Sequence, residues 1–102
     1  MKKIGTIVVN NENIDIKLSN YKAGNIAIVL ECEDGEPYAT FSCNLAEQAS
    51  SLAPNEFFAK TYNENESLVA PMLNSGLFTD TGKRVSTGFV EAPLWTLKSL
   101  PA

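Results

Sequence analysis

Alternation of apolar and polar residues dominates the first half of the chain. Lys3 to Val9 and Asn13 to Leu18 are short β-branched runs, and Asn10-Asn11-Glu12 between them is good turn chemistry. Pairing Val9 with Ile14 and Ile7 with Ile16 puts the isoleucines and valines on one face. After a loop over Asn20 to Gly24, a second hairpin is predicted from Asn25 to Cys32 and Tyr38 to Leu45, turned by the two residues Asp34-Gly35. That register sets Leu30 against Ala39, Ile28 against Phe41 and Ile26 against Cys43. The other face, with Ala27, Val29, Glu31, Tyr38, Thr40, Ser42 and Asn44, is mostly polar and is expected to meet water or a partner.

The second half is mixed. Ala46 to Ala53 reads as a helical turn stopped by Pro54, and Glu56 to Tyr62 as an extended stretch with Phe57 and Phe58 on opposite faces. Asn63 or Asn65 is expected to cap a helix running through Asn74, with Glu64 and Glu66 near its positive end and Gly76 as its stop. Pro71 requires that the regular helix start near Leu68 or be kinked. Arg84 to Leu97 supplies one or two further strands, bent at Gly88, with Pro93 marking an edge or an irregularity. Trp95, beside Leu94 and Leu97, is read as core packing rather than as an interface anchor. The expected fold is α+β, a single domain over residues 1–102: a predominantly antiparallel sheet of two N-terminal hairpins plus C-terminal strands, packed against one main helix.

Composition narrows the chemistry. There is no histidine, which removes the commonest general base and the usual partner of a serine or cysteine nucleophile. On the predicted hairpin, Cys32 and Cys43 are about 20 Å apart at ~3.3 Å per residue, far beyond the roughly 7 Å that a disulfide spans. Both are therefore expected to be buried free thiols on the face of Ile28 and Leu30. Lys2-Lys3 imitates the start of a signal peptide, but the apolar run after it is short, and no stretch approaches the roughly 20 residues that cross a bilayer. A cytoplasmic protein with no membrane partner is expected.

Asp80-Thr81-Gly82 is the catalytic triplet of retroviral-type aspartic proteases, but only 20 residues follow it here, too few for the flap and second apolar element of that family. A β-turn is the expected role. Glu33, Asp34 and Glu36 lack the spacing of a calcium loop and read as a solvated hairpin tip, so no metal and no cofactor is expected. Asn65-Glu66-Ser67 matches a glycosylation sequon, which has no meaning in an unexported protein.

The net charge of −4 is unevenly spread: Glu31 to Glu66 holds eight acids and one base, for −7, and the remainder carries +3. Such a balance disfavours direct nucleic-acid binding and fits a partner with a basic surface. The candidate contact residues are Glu31, Glu33, Asp34, Glu36, Tyr38, Glu64 and Glu66, with Tyr38 expected opposite Glu31 as an aromatic anchor.

Four blocks, Gly35 to Thr40, Pro54 to Tyr62, Ser75-Gly76-Leu77-Phe78, and Thr81-Gly82 leading to Ser86 to Val90, give the chain its further character. In their order and spacing, from about Asn10 to Leu97, it resembles a small protein family of bacterial phages and mobile elements that has no assigned function. The resemblance carries no catalytic motif. It implies an accessory protein, and by analogy an anti-defence inhibitor of the anti-CRISPR kind that occupies a basic nucleic-acid-binding cleft of a host enzyme. A different expectation is an assembly protein that forms homo-oligomers through an edge strand around Phe89 to Leu97. An enzyme working through carboxylates alone is the least supported class.

Overall fold

The computed structural model describes residues 1–45, 51–86 and 91–98. Among these residues, eight strands form two four-stranded antiparallel sheets. The first has the order β1-β2-β3-β4, from β1 (Lys2–Val9), β2 (Glu12–Asn20), β3 (Ile26–Cys32) and β4 (Pro37–Thr40). The second has the order β5-β6-β8-β7, from β5 (Ser42–Cys43), β6 (Glu56–Ala59), β7 (Phe78–Ser86) and β8 (Glu91–Leu97). A 3₁₀ segment, Asn63–Leu68, runs into α1 (Val69–Asn74). The α+β expectation holds.

One core is shared by all three layers. Ile7, Ile14, Ile16, Ile28 and Leu30 come from the first sheet, Phe57, Phe78, Trp95 and Leu97 from the second, and Leu68 and Met72 from the helical segment. Trp95 is core packing: its ring lies 5.1 Å from that of Phe41 and 6.1 Å from that of Phe78. Phe57 faces this core while Phe58 joins Ala92 and Leu94 on the other side of the second sheet, as alternation requires.

The chain changes sheets at Phe41, where the sequence reading places an unbroken strand. Phe41 donates its N–H to the carbonyl of Ile28 (2.9 Å), the residue it was expected to face, a bond that the bulge at Glu31 brings into phase. The reciprocal bond is missing, because the Ile28 N–H is taken by the Ser42 hydroxyl (3.0 Å). The Phe41 carbonyl is thereby freed to accept from the Lys60 N–H (2.6 Å), and Ser42 and Cys43 pair with Ala59 and Phe58 in the second sheet. Asn65, 1% exposed, donates its amide to the carbonyls of Thr40 (2.8 Å) and Lys60 (3.1 Å). The corner is buried and its main-chain groups are paired.

Several local expectations are corrected. Asn10 and Asn11 both have positive φ (50° and 66°), which makes a two-residue turn and pairs Ile7 with Ile14 and Val9 with Glu12. The register moves by two, so every side chain keeps its face. At the second hairpin Asp34 is not left-handed; Gly35 alone is (φ 89°), and Cys32 closes the loop by accepting from the Gly35 N–H and donating to the Glu36 carbonyl. Leu30 does face Ala39, but Glu31 faces Pro37, so Tyr38 is not opposite Glu31. Neither Asn63 nor Asn65 caps the helix: Asn63 has φ 55° and Asn65 is the buried strut.

Pro71 falls in α1, just after the regular helix begins at Val69, in agreement with the first of the two expected solutions. β7 starts before Arg84, and Asp80-Thr81-Gly82 is a bulge within it rather than a free turn. β8 lies between β6 and β7, so Pro93 marks an irregularity beside that bulge and not an edge, and β8 offers no edge for assembly. The helical turn expected at Ala46 to Ala53 falls largely, and the bend at Gly88 wholly, outside the described residues, as do Glu47 and Phe89.

Removing the Ser42 hydroxyl leaves the Ile28 N–H buried without a partner. Ser42→Ala is expected to cost about 2 kcal/mol, read as a lower urea midpoint with an unchanged denaturant slope.

Candidate functional site

Two turns lie at the same end of the first sheet, because β2 pairs with β3 and sets Ile14 against Cys32. Two residues further on, Glu12 is brought opposite the Glu33-Asp34 tip of the neighbouring hairpin. Asn11, Glu12, Asn13, Cys32, Glu33 and Asp34 line an open depression of about 380 Å³. The tip is held in shape by the Asp34 carboxylate, which accepts from the Glu36 N–H (3.0 Å). Glu12, Glu33, Asp34 and Glu36 are all exposed.

Among the described residues, four carboxylates elsewhere are matched to cations: Asp15 to Lys3 (3.2 Å), Glu31 to Lys17 (3.5 Å), Glu64 to Lys60 (2.7 Å) and Asp80 to Arg84 (2.9 Å). Glu12, Glu33, Asp34 and Glu36 take part in none of these pairs. Their field is felt at Cys32, whose thiol is pushed above its ordinary range by burial and then by the negative charges of Asp34, Glu12 and Glu36.

The expected contact residues thus separate. Glu33, Asp34 and Glu36 come together at the tip, with Tyr38 close by on β4 and 39% exposed. Glu31 is removed from the surface group by its pairing with Lys17, its side chain only 13% exposed. Glu64 and Glu66 flank Asn65, which is bonded to Thr40 at the far end of β4, so they stand apart from the tip. Glu12 was absent from the sequence reading. Its signal was there, an acid directly after the first turn, but it counts only once β2 and β3 are known to be neighbours.

The nucleophilic and acidic candidates are structurally occupied. Asp80 holds the Arg84 guanidinium through both carboxylate oxygens (2.9 and 3.1 Å) and accepts from the Gly82 N–H (3.0 Å). The arginine, together with that N–H, holds its carboxyl below the usual range. Asp80 is thus held by an arginine and a main-chain N–H inside a bulge.

Cys32 and Cys43 are free, as expected, but only partly buried and on different sides of the fold: Cys32 borders the main core and Cys43 borders Phe58. Cys43 left the Ile28 face because β5 joined the second sheet. Burial raises its thiol, which sits 3.7 Å from the Tyr62 hydroxyl, so both thiols are held in the less nucleophilic protonated form. Among the described residues, no group of three or more Cys, Asp or Glu is placed to hold a metal ion, and no helix is long and apolar enough to cross a membrane.

Two measurements check this electrostatic picture. Replacing Asp34 and Glu36 by lysine is expected to speed alkylation of Cys32 at pH 8 several-fold, because the thiolate fraction rises; Cys43→Ser in both proteins isolates the site. For Asp80 the carboxyl is lower in the folded than in the unfolded chain, so its pairing stabilises fully above about pH 4 and is lost as pH falls through the folded value. Asp80→Asn is expected to lower Tm at pH 7, with the difference shrinking as pH falls below the ordinary carboxyl value of about 4.

No family model, no curated protein and no solved structure matches the chain, so a functional reading stands on the geometry of the acidic sheet end.

Proposed function

We propose that this chain is a non-catalytic, cytoplasmic protein-binding module of a phage or mobile element, and that Glu12, Glu33, Asp34 and Glu36 form its contact surface for a basic partner. The observation that carries the reading is the gathering of charge: among the described residues, Asp15, Glu31, Glu64 and Asp80 are matched to cations, and the four exposed carboxylates brought together at the hairpin tips take part in none of these pairs. Exposed like charges held close together cost stability unless something else is gained. A positive surface on another protein supplies the missing counter-charge, steers association and sets orientation.

The partner class follows from the chemistry. A cleft built to hold a phosphate backbone presents clustered lysine and arginine, and a rigid row of carboxylates on two adjacent turns is a protein substitute for that backbone. This supports the anti-defence reading, in which a host nucleic-acid-processing enzyme is blocked by occupancy. Tyr38, next to the tip, adds an amphipathic ring at the margin of the contact.

The test is affinity capture from a bacterial lysate at low and moderate salt, followed by binding measurements with each purified basic protein recovered. Changing Glu33, Asp34 and Glu36 to lysine is expected to weaken binding by tenfold or more with the fold intact by circular dichroism, while Glu66→Lys stays within about twofold. The bound partner should also lose its affinity for DNA or RNA. Equal binding by the triple variant would sink the acidic-end reading.

A further inference from the structure

The outer face of the second sheet carries an apolar group of its own. Phe58, Ala92 and Leu94 are buried there, and Cys43, Leu45, Leu52 and Val85 pack against them. Between Ser51-Leu52 on one side and Lys83 to Val85 on the other lies a groove of about 540 Å³, floored by Phe58 and Leu94 and bordered by Glu56. Its size suits a small molecule, and an apolar floor with a few polar groups at the rim is the usual make-up of such a site.

Three charged residues line the groove, and they differ in availability. Arg84 is committed, because its guanidinium holds both oxygens of Asp80 (2.9 and 3.1 Å). Glu56 and Lys83 take part in none of the ion pairs among the described residues and are not paired with each other. Both are nevertheless fixed at the root. The Glu56 carboxylate accepts from the Ala53 N–H (2.7 Å) through one oxygen, and the Glu56 N–H donates to the Ala53 carbonyl (3.0 Å), which leaves the second oxygen for a ligand. Across the floor, the Thr81 hydroxyl donates to the Leu94 carbonyl (2.7 Å) and accepts from the Lys83 N–H (3.2 Å), tying the base of Lys83 to the strand that supplies the floor.

Opposite charges held apart select a ligand that carries both. A simple anion leaves Glu56 uncompensated, a simple cation leaves Lys83 so, and a neutral apolar body desolvates both charges without pairing either. Spacing selects the size. β8 lies between β6 and β7, so two strand spacings of ~4.8 Å, roughly 10 Å in all, separate the backbones of Glu56 and Lys83 across the sheet. An α-amino acid holds its ammonium and carboxylate about 3 Å apart, and a hydrogen bond of ~2.8 Å to each side chain extends this to about 9 Å. Glu56 pairs with Thr96 whereas the bulge holding Lys83 lies opposite Leu94, and the flexible lysine stem takes up that offset along the strands.

We infer that the groove between Ser51-Leu52 and the β7 bulge is a binding site for a free apolar α-amino acid, with its ammonium on Glu56, its carboxylate on Lys83 and its side chain on Phe58 and Leu94. The site uses none of Glu12, Glu33, Asp34 and Glu36 and is independent of the proposed partner surface.

The experiment is a heteronuclear NMR titration of the isotope-labelled protein with L-leucine and with L-phenylalanine, each up to about 10 mM. Saturable shifts of the Phe58, Lys83 and Leu94 amides are expected with at least one of them, with a Kd near or below about 1 mM. Glycine lacks the apolar body, the N-acetyl derivative lacks the ammonium and the amide lacks the carboxylate, and each is expected to bind roughly tenfold more weakly or worse. Glu56→Gln keeps an acceptor for the Ala53 N–H and Lys83→Met keeps the apolar stem, so both are expected to retain the circular dichroism spectrum while weakening binding about tenfold. If a variant loses structure, the derivatives decide the matter on the native chain. No saturable shift with either amino acid, equal binding of the N-acetyl and amide forms, or equal binding by both variants would overturn the inference. The chain with Glu33, Asp34 and Glu36 changed to lysine is expected to bind the amino acid as the native chain does, which separates this site from the acidic end.

Discussion

The exchange of partners at Ile28, Phe41 and Ser42 is the constraint on which the architecture depends. An antiparallel pair at this position would use both main-chain groups of Phe41 within one sheet. The Ser42 hydroxyl replaces one of them, accepting from the Ile28 N–H at 3.0 Å while lying 2.7 Å from the Tyr21 hydroxyl. The released Phe41 carbonyl then opens the second sheet through the Lys60 N–H. A single side-chain oxygen thus lets one extended segment belong to two sheets with little loss of main-chain hydrogen bonding. The same corner places the Phe41 ring against Trp95, which ties the inner face of the second sheet to that of the first.

This corner also divides the charge of the molecule. Along the sequence the acids form a block through the middle third of the chain. In space the block is cut where β4 gives way to β5. Glu64 and Glu66 are carried to the helical segment beside Thr40, Glu31 is neutralised across the strand by Lys17, and the hairpin tip keeps a group of carboxylates exposed and outside the ion pairs. Glu12 joins them from a different hairpin. The first sheet becomes polar along its strands, with lysines at one end and carboxylates at the other.

Much of the local structure was legible. β3 and the start of β4 follow from alternation, Phe57 and Phe58 part to opposite faces, and Pro71 permits regular helix only from about Val69. The first hairpin shows why faces are more robust than registers. Asn10-Asn11 makes a tighter turn than a three-residue reading allows, yet the two-residue shift leaves Ile7, Ile14 and Ile16 buried. The Asp34-Gly35 turn was misread in type because both common two-residue hairpin turns need a left-handed first residue, and here only the second, Gly35, adopts that conformation. Asn65 was misread as a cap because asparagine serves equally well as a strut, and its choice depends on Thr40 and Lys60 coming within reach.

The sequence by itself determined β1, β2, β3 and the start of β4 with their buried faces, the helical segment that ends at Asn74 and the absence of histidine chemistry, since alternation, turn residues and composition act over a few positions or none. Tertiary structure alone decided which sheet each strand joins and which acids become neighbours. Those outcomes rest on exchanges of hydrogen bonds and on packing between residues far apart in the chain, as when the Ser42 hydroxyl takes the Ile28 N–H, and no local pattern contains them.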